Sequence, residues 1–165
     1  MSVIVDKGKA VQKKNEQKAE KKTTGLIFTI GNAADGPNLY AIPAESVKEI
    51  LREATVFPLP FVPPYVNGVL NRYGDPYVVI DSAVLDGKSP QNSKLFIVLN
   101  DESHSCLRVT DVKEFYSAAE ESIAHFSEEG ISDFYDGTIT VEGQKVFVLN
   151  IQAIIEKVGK GIAAA

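Results

Sequence analysis

The side chains with the most chemical reach in this 165-residue sequence lie in Asp101-Glu-Ser-His-Ser-Cys106, a carboxylate, an imidazole and a thiol close together. Zinc would use such groups, but a zinc site needs about four well-placed ligands. The other histidine, His125, stands alone further along the chain, and no second cluster supplies the rest. The segment falls at the tip of an expected hairpin, where Asp, Ser and His serve as ordinary turn residues. Asp75, Asp81 and Asp111 supply carboxylates that acid–base work would have to pair in space, and turn and strand-end positions account for them as well. Serine, histidine and aspartate occur in any chain of this size and identify a triad only by geometry. No Gly-x-Gly-x-x-Gly follows a strand, and Gly159-Lys-Gly161 lacks the phosphate-loop pattern. No nucleophile, base and orienting group assemble, so the sequence reads as a non-enzyme with no cofactor and no metal.

What remains is binding, and one stretch is built for it. Prolines 58, 60, 63 and 64 crowd the start of Phe57 to Asp81. Each fixes its own φ and pushes the preceding residue towards extended backbone, which excludes a helix and a central strand there. An apolar run with a turn at Tyr73-Gly-Asp-Pro76 follows, then the β-branched strand Tyr77-Val-Val-Ile80. The result is a stiff platform.

The elements around it are short. Leu26–Ile30 and Asn38–Ile42 flank a turn-rich loop and read as a first hairpin. Pro43–Arg52 is ambiguous: Val47, Ile50 and Leu51 sit at helical spacing behind a first-turn proline, while Val47, Glu49 and Leu51 alternate as in a strand. After a polar linker, residues 86–93, Lys94–Leu99 is a buried strand returned by Cys106–Val112. Residues 117–132 are polar and acidic, a loop or weak helix. Gly137–Val141, a tight Glu142-Gly143 turn and Lys145–Leu149 form a third hairpin. Asn150 then caps a helix over Ile151–Val158. Leu95, Ile97, Val146 and Val148 are expected strand residues. Short strands with turns between them imply a mainly-β protein of small barrels or a sandwich, bilobed, with halves meeting near residues 86–93.

Composition sets the frame. Apolar residues make up 44%, ordinary for a globular chain of one domain. The single cysteine rules out an internal disulfide and fits a reducing compartment, and neither a signal peptide nor a spanning run is expected, which makes cytoplasm the default. The net charge of −5 divides into +4 over residues 1–24 and −9 over the rest. The lysine-rich arm reads as a flexible tail and residues 25–165 as the body. An acidic body argues against a nucleic-acid partner.

The order of three pieces resembles the CheW-like domain, the coupling protein of bacterial chemotaxis arrays. They are Tyr40-Ala-Ile-Pro-Ala-Glu-Ser-Val-Lys-Glu-Ile50, Pro58-Leu-Pro-Phe-Val-Pro-Pro-Tyr-Val-Asn-Gly-Val-Leu-Asn71 and Tyr77-Val-Val-Ile-Asp81. The likeness covers roughly residues 25 to 158. It implies two SH3-like five-stranded β-barrel subdomains on a shared core, with a short C-terminal helix, and makes Val47–Arg52 a strand. It also implies a scaffold that binds the regulatory domain of the histidine kinase CheA and the cytoplasmic tip of chemoreceptors, with other CheW-like domains in rings. The chain would sit in the cytoplasm at membrane-associated arrays, without inserting into the membrane. By position, Val47 and Glu49 fall on the kinase-contacting face, and Gly68, Asn71, Arg72 and Tyr73 on the receptor side.

The chain departs from that pattern in one telling place. The family's Asn-Leu-Arg-Gly reads Asn71-Arg-Tyr-Gly74 here, and a one-residue step along a strand sends a side chain to the opposite face. Tyr73 is therefore expected outward where the family has arginine, unless Arg72 reaches round and restores the charge. The competing reading is a barrel that senses a small molecule or peptide, which would need a concave apolar pocket with a few polar groups.

Overall fold

The computed structural model of the chain describes residues 22–35, 38–119, 124–125 and 134–164. Residues 1–21, most of the expected tail, lie outside the described residues, and residues 22–24 open the first strand. Of the polar stretch 117–132, residues 117–119 and 124–125 are described, and both are strand.

The strands are β1 (Lys22–Thr29), β2 (Leu39–Pro43), β3 (Val47–Arg52), β4 (Val66–Arg72), β5 (Asp75–Asp81), β6 (Leu95–Leu99), β7 (Ser105–Val109), β8 (Asp111–Ala119), β9 (Ala124–His125), β10 (Tyr135–Val141) and β11 (Gln144–Leu149). The helices are α1 (Ser82–Leu85) and α2 (Ile151–Ala164). They form a six-stranded sheet, β8-β1-β2-β11-β10-β9, and a five-stranded sheet, β3-β6-β7-β5-β4. The mainly-β class, the two subdomains and the C-terminal helix are as expected, though each ladder is open rather than closed by hydrogen bonds. The ambiguous Pro43–Arg52 run is a single 3₁₀ turn, Ala44–Ser46, leading into strand β3. Helix α2 continues past Val158 to Ala164.

The allotment of strands to lobes corrects the expectation of an N-terminal and a C-terminal half. β3 to β7 form one lobe as a continuous insertion, while β1, β2 and β8 to β11 close the other across it. Residues 86–93 do lie where the lobes meet, but they belong to the inserted lobe. There Asp86 accepts from the Tyr135 and Tyr40 hydroxyls at 2.5 and 3.2 Å. The reason is the parallel pairing of β11 with β2, a long-range contact that no local pattern announces.

Behind that swap lies a repeat. Each lobe has an edge strand, then two hairpins joined through a parallel pair: β3, β6–β7 and β5–β4 in one, β8, β1–β2 and β11–β10 in the other. In chain order the two are circular permutations. The match extends to helices α1 and α2, which follow β5 and β11 and are capped by Asp81 and Asn150. A short bridge lies outside each inner hairpin, Phe57 on Val69 and β9 on β10.

Three cores follow from strand alternation. Phe96, Val98, Leu70 and Cys106 fill the five-stranded lobe, and Ile27, Ala41, Val146 and Val148 the six-stranded lobe. Leu95, Ile97, Leu99, Phe28 and Ile42 pack between the lobes with Ile154 and Val158 of α2. β6 is buried on both faces, which is why it reads as an unbroken apolar run.

Candidate functional site

β3 and β4 are the two edges of the five-stranded sheet, and side chains rather than ladder bonds join them. Arg72 Nε and Nη2 donate to Glu49 Oε1 and Oε2 at 2.5 and 2.7 Å, a forked pair. The Tyr73 hydroxyl donates to Oε1 of the same carboxylate at 2.6 Å. Lys48 Nζ lies 4.5 Å and the Arg72 guanidinium 5.1 Å from the Tyr73 ring centre, so two cations attend one ring.

Local backbone makes the convergence. Tyr73 and Gly74 are the two loop residues of the β4–β5 hairpin, with φ of 55° and 80°. Positive φ at both is the primed turn that matches strand twist, and glycine takes it without strain whereas tyrosine does not. Tyr73 therefore lies past the end of the strand, and the rule that neighbours face opposite ways does not reach it. Arg72 and Tyr73 meet at one carboxylate; the expected transfer of the basic group to the opposite face is corrected by the turn. Tyr73 is 56% exposed, the outward placement that the sequence implied. A β-bulge between Val47 and Glu49 turns Glu49 towards this seam.

The electrostatics are one-sided. The Arg72 hydrogen bonds, with smaller help from Tyr73 and the nearby positive charges, outweigh desolvation and hold the Glu49 carboxyl down at about 2. The same contact to Glu49 raises both the Arg72 guanidinium and the Tyr73 phenol above their ordinary values.

The structure thus brings Glu49, Arg72 and Tyr73 into one cluster, although the resemblance assigns Glu49 to one face and the other two to another. Val47 is half-buried against the shared core. Asn71 is exposed on β4 beside Arg72. Gly68 is buried, has φ of 140°, and leaves room where a methyl group would overlap the Phe57 carbonyl. That carbonyl and its amide bond Val69 at 2.8 and 2.7 Å, which fastens the proline platform to β4. Sequence reasoning missed Lys48 and this bridge. It also missed Val47-Lys-Glu49 repeating as Val112-Lys-Glu114 at the matching bulges of β3 and β8, a three-residue likeness whose meaning appears only with the topology.

Other candidate chemistry is dispersed. Ser103 donates through its backbone amide to Asp101 Oδ1 at 2.9 Å, so Asp101–Ser103 is an Asx turn. The neighbouring His104 ring packs on Tyr77 at 4.9 Å. Cys106 points into the core, and burial pushes its thiol up to about 12, far from a reactive thiolate. Asp81 is buried, accepting from the Ala83 and Gln91 amides and the Gln91 side chain. Asp75 is exposed at a hairpin end, and Asp111 pairs with Lys113 at 3.4 Å. Among the described residues no three His, Cys, Asp or Glu side chains gather as metal ligands, and no helix is long and apolar enough to cross a membrane. A pocket between the lobes, lined by Tyr40, Asp86 and Tyr135 among others, holds about 10 Å³, a single water at most.

The CheW-like domain family model matches residues 24–159. Among solved structures the chain is similar to the scaffolding protein TtCheW from Thermoanaerobacter tengcongensis, with a TM-score of 0.67 at 19% identity. That match covers 78% of this chain and 88% of the other. At that identity the likeness speaks for the fold. No curated protein matches the sequence.

Proposed function

This chain belongs to the CheW-like domain family, and on that premise we propose that it is a non-enzymatic adaptor coupling chemoreceptor cytoplasmic tips to the histidine kinase CheA in cytoplasmic, membrane-associated signalling arrays. One observation carries the reading. Glu49, which the resemblance assigns to the kinase, meets Arg72 and Tyr73, which it assigns to the receptor, in one preorganised seam with Tyr73 exposed at its tip. Kinase contact would centre on Val47 and Glu49. Receptor contact would centre on Asn71, Arg72 and Tyr73, with Gly68 setting the backbone beneath them. A change in how one partner loads the seam reaches the other through a single carboxylate.

The small-molecule sensor needs a concave apolar site of a few hundred cubic ångströms with a few polar groups inside. Among the described residues the apolar pocket between the lobes holds only about 10 Å³, and the clefts of about 290 and 340 Å³ are open at the surface and lined largely by polar or charged side chains, which favours the adaptor.

The test is retention on the immobilised full chain of the cognate kinase's regulatory domain and the receptor's cytoplasmic fragment, singly and together. Joint retention is expected. Capture of neither, or strict exclusion of one by the other, would overturn the adaptor reading.

A further inference from the structure

The six-stranded lobe carries the same seam as the five-stranded lobe, but without its cation. β8 corresponds to β3, and its bulge puts Glu114 where Glu49 stands. The β10–β11 hairpin corresponds to β4–β5, and its turn, Glu142-Gly143, has φ of 50° and 77°, the same primed form as Tyr73-Gly74. Counting back from the turn, Val141 takes the place of Arg72 and Glu142 that of Tyr73. Where one lobe has an arginine and a tyrosine closing on a glutamate, the other has a valine and a second glutamate.

The consequence is an open cleft of about 140 Å³ between β8 and the β10–β11 turn. Buried Ile27 and Val146 form its floor, Leu39 and Val141 its walls, and Glu114 and Glu142 its rim. Lys113, the counterpart of Lys48, is paired with Asp111 at 3.4 Å. Among the described residues the side chains of Glu114 and Glu142 have no hydrogen-bond or ion-pair partner, and both are exposed.

We propose that this cleft is a docking site for an arginine presented on a turn of a partner protein, which closes the six-stranded lobe's seam in trans as Arg72 closes the other in cis. The occupant's chemistry follows from the cleft. Two carboxylates call for a cation, an apolar floor suits a methylene stem, and a planar guanidinium can fork onto a carboxylate as Arg72 does on Glu49. A lysine would satisfy the charge without the fork.

The probe is a blocked Arg-Tyr-Gly peptide titrated into the full chain at millimolar concentration and followed by amide NMR. Shifts are expected at Lys113, Glu114, Glu142 and Gln144, and not at Lys48 or Glu49, whose seam is already filled. A Lys-Tyr-Gly peptide should bind several-fold more weakly. Glu114→Gln with Glu142→Gln should abolish the shifts while the thermal midpoint holds, since both side chains are exposed. Val141→Arg, which restores a cis arginine, should abolish them too. The proposal falls if no shifts appear, if a Glu-Tyr-Gly peptide gives the same shifts, or if they survive the double glutamine variant. It also falls if contacts from lysines of residues 1–21 to the Val141 or Val146 methyls show the cleft filled by the chain itself.

Discussion

The two lobes share strand order, parallel crossing, primed hairpin turn and bulged Val-Lys-Glu edge, yet they end differently at the seam. In the five-stranded lobe Glu49 is gripped by Arg72 and Tyr73. In the six-stranded lobe Glu114 faces a cleft. A shared backbone plan thus fixes where a carboxylate is held, and one or two side chains on the facing turn decide whether it is used internally or offered outward. That is how a duplicated architecture acquires two unlike surfaces.

The largest expected effect tests whether the five-stranded lobe depends on its extra fastening. Gly68→Ala places a methyl on the Phe57 carbonyl and forces alanine to a φ of 140°. The strain and the loss of the Phe57–Val69 bridge together should cost on the order of 3 kcal/mol. For a chain this long that lowers the thermal midpoint by roughly 6–12 °C. Gly143→Ala, at the six-stranded lobe's turn, meets open space and faces only the left-handed backbone penalty, about 1 kcal/mol. Calorimetry that ranks the two the other way would mean that the proline platform is not anchored through β4.

Next is the latch itself. Arg72→Glu should loosen β3 and raise hydrogen exchange of its amides, because two carboxylates would then share the seam. Adding Glu49→Arg rebuilds the pair with its polarity reversed. Protection should return, while binding of a partner that reads the charges directly should not. If binding returns in full with the protection, the pair acts by holding the seam shut and makes no contact of its own.

How far all this could be read in advance follows from the range of each signal. The Glu142-Gly143 turn, the buried β6 strand and the capped C-terminal helix each carry their evidence within a few residues, and their types are found as expected. The residue pattern over Pro43–Arg52 fits both periods; the resemblance implies a strand over Val47–Arg52, and the pairing with β6 bears that out. The interlocked lobes escaped because β2 and β11 lie over a hundred residues apart. The seam escaped for a different reason. The turn at Tyr73–Pro76 is legible, but the step from Arg72 to Tyr73 crosses into it, and positive φ there ends the strand alternation on which the expectation of opposite faces rests. Glu49 and Arg72 are 23 residues apart, and no spacing rule joins them.

The pH dependence separates the latch from ordinary surface charge. Glu49 is depressed in the folded chain, from 4.5 to about 2, so its contribution is fully present above the unfolded value. It is lost as pH falls through the folded value. Carbon-detected titration should therefore find Glu49 still ionised at pH values where ordinary glutamates are half protonated. In Arg72→Ala, which removes the main cause of the depression, the midpoint should climb back towards the usual carboxylate range. A midpoint that does not move would assign the depression to other neighbours.

The smallest effect is the most discriminating for Tyr73. Tyr73→Phe deletes only the hydroxyl that donates to Glu49 at 2.6 Å and leaves the ring between Lys48 and Arg72. Because the forked Arg72 pair remains, the fold should be unchanged and the Glu49 midpoint should rise only slightly. What the variant reads is the ring. An exposed aromatic supplies contact area at low entropic cost, and such residues often dominate binding. Partner affinity should therefore survive Tyr73→Phe and fall several-fold in Tyr73→Ala, measured by titration calorimetry. Tyr73→Arg adds a second cation beside Arg72 and should favour partners with an acid at that spot. If Tyr73→Phe weakens binding as much as Tyr73→Ala, the hydroxyl is the recognised group. Recognition at Tyr73 would then come down to the hydroxyl that bonds the Glu49 carboxylate, with the aromatic surface contributing little.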